Sequence, residues 1–170
     1  AIPTEMRQVA AQFGQTELRG VSEEASYAAI PQLRRSCSDR AILRAMHFFA
    51  ENRRAGAQAQ ALESGEMAQF LTLVQESGAS SAELLQNLYS ASKPTAQEIP
   101  LAIAVSKRLL AGAGAVRVHG GGFAGTIQAF VPQAQVAMYT KAMEQLFGEG
   151  SCYVLRIRPV GGVEMKEELQ

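Results

Sequence analysis

Between residues 118 and 126 the chain reads Val118-His119-Gly120-Gly121-Gly122-Phe123-Ala124-Gly125-Thr126, and no other stretch limits the possible folds as strongly. Three adjacent glycines, an aromatic and a further glycine cannot sit inside a helix or a regular strand at reasonable cost. They call for backbone at positive φ, or for backbone approached closely by another group. Ala115-Val116-Arg117-Val118 ahead of the loop is β-like, as is Thr126-Ile127-Gln128-Ala129-Phe130-Val131 behind it, ending at Pro132. The predicted order is strand, glycine loop, strand. A dinucleotide fingerprint needs a helix opening directly after the glycines, and a Walker A loop needs Gly-Lys-Ser/Thr; neither is present. A tight hairpin would need only one or two glycines, fewer than this loop carries.

The rest of the chain reads as helices broken by turn residues. Met6, Val9, Ala10 and Phe13 fall at helical spacing behind Pro3, until Gly14. A short helix is expected from about Ser22 to Ile30, interrupted by Pro31. Ser38 is the candidate N-cap of the next helix, with Asp39 in its first turn. Its apolar stripe is Ile42, Leu43, Met46, Phe49 and Ala50, and the pattern continues to Leu62 and ends near Ser64-Gly65. Met67, Phe70, Leu71 and Val74 repeat the spacing, with Gly78 as the expected stop. Ser80 or Ser81 could cap a following turn that turns Leu84, Leu85, Leu88 and Tyr89 inward.

After a break at Ser92-Lys93-Pro94, a helix is predicted from Thr95 to about Ala111, with Ile99, Ile103 and Leu110 in the core. Pro132 should start another, burying Val136, Tyr139, Met143, Leu146 and Phe147 and closing at Gly148. Tyr153 to Arg158 alternates like a strand, Gly161-Gly162 suggests a turn, Val163 to Met165 a short final strand, and Lys166 to Gln170 a frayed tail. The fold class is therefore α+β, with helices packed on a small antiparallel or mixed sheet. The helical part covers about 1–112, and a strand–loop–strand–helix–strand part about 113–166.

Charge and cysteine content exclude several functions. Lys+Arg and Asp+Glu are both 16, so no excess of positive charge points to nucleic acid. The pairs Arg34-Arg35 and Arg53-Arg54 read as solvated helix faces. Cys37 and Cys152 lack metal-ligand spacing and are expected as free thiols. No apolar run is long enough to span a membrane, and no signal-peptide pattern opens the chain. His47, beside Phe48 and Phe49, reads as structural, and His119 as a local hydrogen-bonding residue next to the loop.

With these residues in view, Gly120-Gly121-Gly122-Phe123-Ala124-Gly125-Thr126 resembles the third conserved motif of the GHMP kinases, in its galactokinase form Gly-Gly-Gly-Phe-Gly-Gly. Upstream, Asp39 to Asn52 is similar to the long galactokinase helix that begins the C-terminal half. Downstream, Phe147-Gly148 and Tyr153-Val154-Leu155-Arg156-Ile157-Arg158-Pro159 are similar to the family's closing strand. The resemblance covers nearly the whole chain. Ala124 replaces a glycine of the motif, His119 replaces a small hydroxyl residue, and Gly78 stands where the family has a histidine after Ser77, which points to a divergent branch.

The resemblance implies the GHMP kinase C-terminal domain over residues 1–170, with a ferredoxin-like flavour to its sheet. It implies an ATP-dependent sugar kinase, transferring the γ-phosphate of ATP to a sugar hydroxyl (galactose to galactose 1-phosphate), in the cytoplasm. The opening Ala1-Ile2-Pro3-Thr4-Glu5-Met6 is similar to a segment just past the middle of galactokinases. The chain is therefore expected to be a C-terminal half, inactive alone, with the Ser-rich phosphate loop, catalytic aspartate and most sugar contacts in an N-terminal half. ATP and Mg²⁺ are expected with the longer parent and none with this chain alone. Gly120, Gly121, Gly122, Phe123 and Gly125 are assigned a site-shaping role and no residue a catalytic one. The uncovered face around Phe123 and the first helix is expected to promote self-association. The alternative function is a galactokinase-like sugar- or nucleotide-binding regulatory protein without turnover.

Overall fold

The computed structural model describes residues 2–123 and 125–157. Seven α-helices and one two-stranded sheet make up its main elements: α1 (Ile2–Ala11), α2 (Glu23–Ala28), α3 (Ile30–Ser36), α4 (Asp39–Glu63), α5 (Met67–Ser80), α6 (Glu98–Leu110), β1 (Ala115–Val118), β2 (Ile127–Phe130) and α7 (Val136–Phe147). The class is α+β, as the pattern predicts. β1 and β2 pair antiparallel, with Ala115 opposite Phe130 and Val118 opposite Ile127. Among the described residues the sheet is this antiparallel pair and contains no parallel strand.

The long helix α4 is the spine. At 1.5 Å per residue its 25 residues extend about 37 Å. Ser38 caps its start, accepting the Ala41 N–H at 3.1 Å, and Gly65 follows its end at φ +71°. Its first half buries Ala41, Ile42, Ala45 and Phe49 against Val9 and Ala10 of α1, Leu18, Val21 and Leu33. Its far end reaches a second cluster, in which Ala61 joins Phe70 and Val74 of α5 and Ala115 of β1. Phe70 and Phe130 meet edge to face, centroids 5.2 Å apart, and tie α5 to the sheet. A third cluster packs α6 on α7 through Ala102, Leu110, Tyr139 and Met143. There the buried Ser106 and Tyr139 hydroxyls bond at 2.7 Å, so neither is left unpaired.

Several elements differ from the sequence reading. Pro31 stands in the first turn of α3 and starts a helix where an interruption was expected, because the first turn lacks intrahelical N–H partners anyway. Gly78 does not end α5. It lies inside the helix, where a Cβ would meet the Arg117 Cβ and the Val116 carbonyl at 3.2 Å, so its bare Cα allows close helix–strand packing. Beyond α5 the chain makes a π turn at Ser81–Leu85 and a left-handed residue at Gln86, φ 56°. This geometry turns Asn87 inward and leaves Tyr89 exposed.

Leu146 is also exposed, as α7 presents only one narrow face to α6. The expected strand at Tyr153–Ile157 does not form: these residues lie outside regular structure, with Tyr153, Leu155 and Ile157 each more than 80% exposed. Alternating apolarity supplies a face to bury, but a strand forms only against a neighbouring strand that pairs with it. The readings made for residues 158–170 lie outside the described residues. Among the described residues no helix is long and apolar enough to cross a membrane, and Cys37 and Cys152 are free thiols.

Candidate functional site

The glycine loop closes the β1–β2 hairpin, with the His119 N–H donating to the Thr126 carbonyl at 3.1 Å. Gly120, Gly122, Phe123 and Gly125 all take positive φ, between 54° and 80°. Phe123 is the informative one: a non-glycine residue in the left-handed region costs roughly 1–2 kcal/mol and needs surrounding contacts to hold it. One such contact is its N–H, which donates to the Asn87 carbonyl at 3.3 Å. Phe123 as a whole is about half exposed.

The loop forms one wall of a cleft of about 550 Å³. Gly121 and Phe123 face Ile2, Pro3 and Met6 of α1, and His47, Phe48 and Glu51 of α4, with Leu85 at the side. The predicted loop and the two predicted helices thus converge, which no single motif required. Of the predicted site residues, Gly121 and Phe123 line the cleft. Gly120 and Gly125 are exposed supports of the turn, and Gly122 packs inward on Asn87. His119 is exposed beside the loop and does not line the cleft.

Gly122 and Gly121 are glycines for different reasons. A Cβ on Gly122 would fall 2.0 Å from the Asn87 carbonyl oxygen, so the protein's own backbone excludes a side chain. Gly121 is not in the left-handed region, and a Cβ there would meet nothing within 4 Å among the described residues. Neither conformation nor internal crowding explains it. What Gly121 leaves open is space on the cleft wall, where a ligand could approach the backbone closely.

Polar groups behind the cleft are held in two networks along α4. In the first, Glu5 of α1 accepts from Arg40 and Arg44, each at 2.6 Å, and the buried Arg44 also donates to the Leu85 carbonyl at 3.0 Å. The Arg40 hydrogen bond, aided by both arginine charges, holds the Glu5 carboxyl below the usual carboxylate range. In the second, Glu51 accepts from Ser77 at 2.6 Å and from Arg54, while Arg117 of β1 lies 3.6 Å away. Burial lowers the pKa of both Arg54 and Arg117. Arg54 is therefore not the solvated surface residue that its sequence neighbourhood suggests, whereas Arg53 is mostly exposed.

Between the networks sits His47, buried, its Nδ1 2.8 Å from the Ser80 hydroxyl. Burial pulls its imidazole down to about 4; the Ser80 contact opposes that shift and the Arg54 and Arg117 charges add to it. His47 is thus neutral near pH 7, a hydrogen-bonding group and not a cation. His47 is read from the sequence as structural, and its burial and bond to Ser80 agree with that, while Glu51 is given no role there. Their i, i+4 spacing on one helix face was the available signal. Among the described residues no three His, Cys, Asp or Glu side chains are grouped to hold a metal ion.

The fold has known counterparts. A crystal structure of Lactococcus lactis galactokinase complexed with galactose superposes with a TM-score of 0.66 at 22% sequence identity, over 86% of this chain. The chain spans 36% of the length of that galactokinase. No protein-family model matches the sequence. At this identity the likeness establishes a galactokinase-like fold.

Proposed function

We propose that this chain forms the C-terminal part of a galactokinase-like cytoplasmic sugar kinase, in which the longer protein transfers the γ-phosphate of ATP to a sugar hydroxyl, with galactose the leading candidate. The observation that carries the reading is Gly121: a glycine on the wall of a cleft, outside the left-handed region and uncrowded by the described residues, in a galactokinase-like fold. The loop's role is to shape the site. Its backbone amides and bare Cα atoms let a phosphate or sugar approach, and Phe123 covers the apolar side of the ligand.

Phosphoryl transfer also requires a group to orient the acceptor hydroxyl and cations to neutralise developing charge. Glu51 is engaged by Ser77 and Arg54, and the Nδ1 of His47 by Ser80, and neither residue is assigned proton transfer. Mg²⁺ finds no ligand cluster among the described residues, and none of its chemistry is assigned to this chain. The catalytic groups are accordingly proposed to reside in a further part of the protein, facing this cleft.

The test is galactose-dependent ADP release from ATP and Mg²⁺ by the longer protein, with this chain as the control. Turnover by the longer protein alone is the expected result. Sugar or nucleotide binding without turnover would replace the kinase reading with that of a binding protein.

A further inference from the structure

The Ser81–Leu85 π turn, the left-handed Gln86 and the buried Arg44 on the Leu85 carbonyl together deliver one residue, Asn87, to the underside of the glycine loop. π turns and strained residues of this kind gather at functional sites. Asn87 is completely buried. Its carbonyl accepts the Phe123 N–H, and its Nδ2 lies 2.9 Å from where a Cβ on Gly122 would be. Yet neither Nδ2 nor Oδ1 has a hydrogen-bond partner among the described residues. Leaving such a group unpaired is destabilising, and most buried polar groups are paired. A leucine would fill similar space without that cost, so packing alone does not account for an asparagine.

We infer that Asn87 is a positioning residue for the glycine loop, its side-chain amide kept for a second seating in which Nδ2 donates to the loop backbone and Oδ1 accepts from it. In the observed seating the Phe123 N–H is held by the Asn87 carbonyl, and Gly122 packs against the Asn87 side chain without a hydrogen bond to it. Among the described residues nothing lies within 4 Å of where side chains on Gly120, Gly121 and Gly125 would be, so the loop backbone has room to move. Movement of the loop carries Gly121 and Phe123 relative to His47 and Glu51, and Asn87 thereby sets the ligand-facing wall without touching ligand. The inference rests on the reading of the loop as that wall, but its test needs no ligand.

Relaxation dispersion on the ¹⁵N-labelled chain reads exchange on the microsecond-to-millisecond scale. The expected result is one shared exchange process for the Asn87 side-chain NH₂ and the backbone amides of Gly121, Gly122 and Phe123. Asn87→Leu should abolish it and leave the melting temperature equal or higher. A purely structural amide predicts the opposite: a lower melting temperature and unchanged loop dynamics, which would overturn the inference. Should Asn87→Leu fail to fold, the wild-type profiles decide, since flat profiles or unrelated rates reject the second seating. Flat profiles would leave the turnover assay unaffected, and a failed turnover assay would leave these profiles unaffected, so the two failures are distinguishable.

Discussion

Replacing Gly122 with alanine tests whether the loop is seated as described. The new Cβ would meet the Asn87 carbonyl oxygen at 2.0 Å, well inside any real contact, and φ is +71°. Alanine in the left-handed region costs roughly 1–2 kcal/mol. Relieving the clash must lengthen or break the Phe123–Asn87 backbone bond, worth about 0.5–1.5 kcal/mol. Together these give about 1.5–3.5 kcal/mol, and at roughly 2–4 °C per kcal/mol for a chain of this size the melting temperature should fall by about 3–14 °C. Gly121→Ala is the matched control, because its Cβ meets nothing within 4 Å among the described residues and its φ is outside the left-handed region. That change should leave the melting temperature unchanged or slightly raised. Differential scanning calorimetry of both variants reads the difference. If Gly122→Ala melts with the wild type, or Gly121→Ala melts below Gly122→Ala, the assignment of the two glycines is refuted.

Other outcomes follow from the groups behind the cleft. Arg44→Met should destabilise the chain by about 2–4 kcal/mol in urea unfolding, since it strips a buried donor from Glu5 and from the Leu85 carbonyl. Because the Glu5 pKa is lowered in the folded chain, its contribution is present above the ordinary carboxylate pKa and lost as pH falls through the folded value. The stability gap between wild type and Glu5→Gln should therefore narrow on acidification from pH 6 to pH 3. For His47 the folded pKa of about 4 lies below the unfolded value of 6.5, so the unfolded chain takes up the proton first. Stability should fall as pH drops from 6.5 towards 4, by on the order of 3 kcal/mol, and His47→Phe should flatten that slope. NMR titration should find no His47 midpoint between pH 6 and 8.

Much of this organisation is legible in the sequence because it is local. Glycine chemistry located the hairpin loop, Ser38 the start of α4, and Gly65 and Gly148 the ends of α4 and α7. Helical spacing gave the buried Val9 and Ala10 of α1, Phe70 and Val74 of α5, and Ile99 and Leu110 of α6, whereas Met67 at the start of the α5 stripe is exposed. What could not be read depends on partners distant in sequence. Gly78 looks like a stop until β1 is laid across it, and Arg54 looks solvated until Ser77, Glu51 and Arg117 gather around it. Tyr153 to Ile157 has the alternation of a strand, yet no strand among the described residues pairs with it. Asn87 carries no sequence signal at all, since its burial follows from a π turn and a left-handed residue that composition does not announce.

The central claim is that the cleft wall at Gly121 receives the ligand of a sugar kinase. Its most direct test is galactose-dependent ADP release by the longer protein, wild type against Gly121→Val. Turnover by the wild type, strongly reduced in Gly121→Val at unchanged melting temperature, is the expected result. Equal turnover by both would contradict the claim, and so would activity in the 170-residue chain by itself.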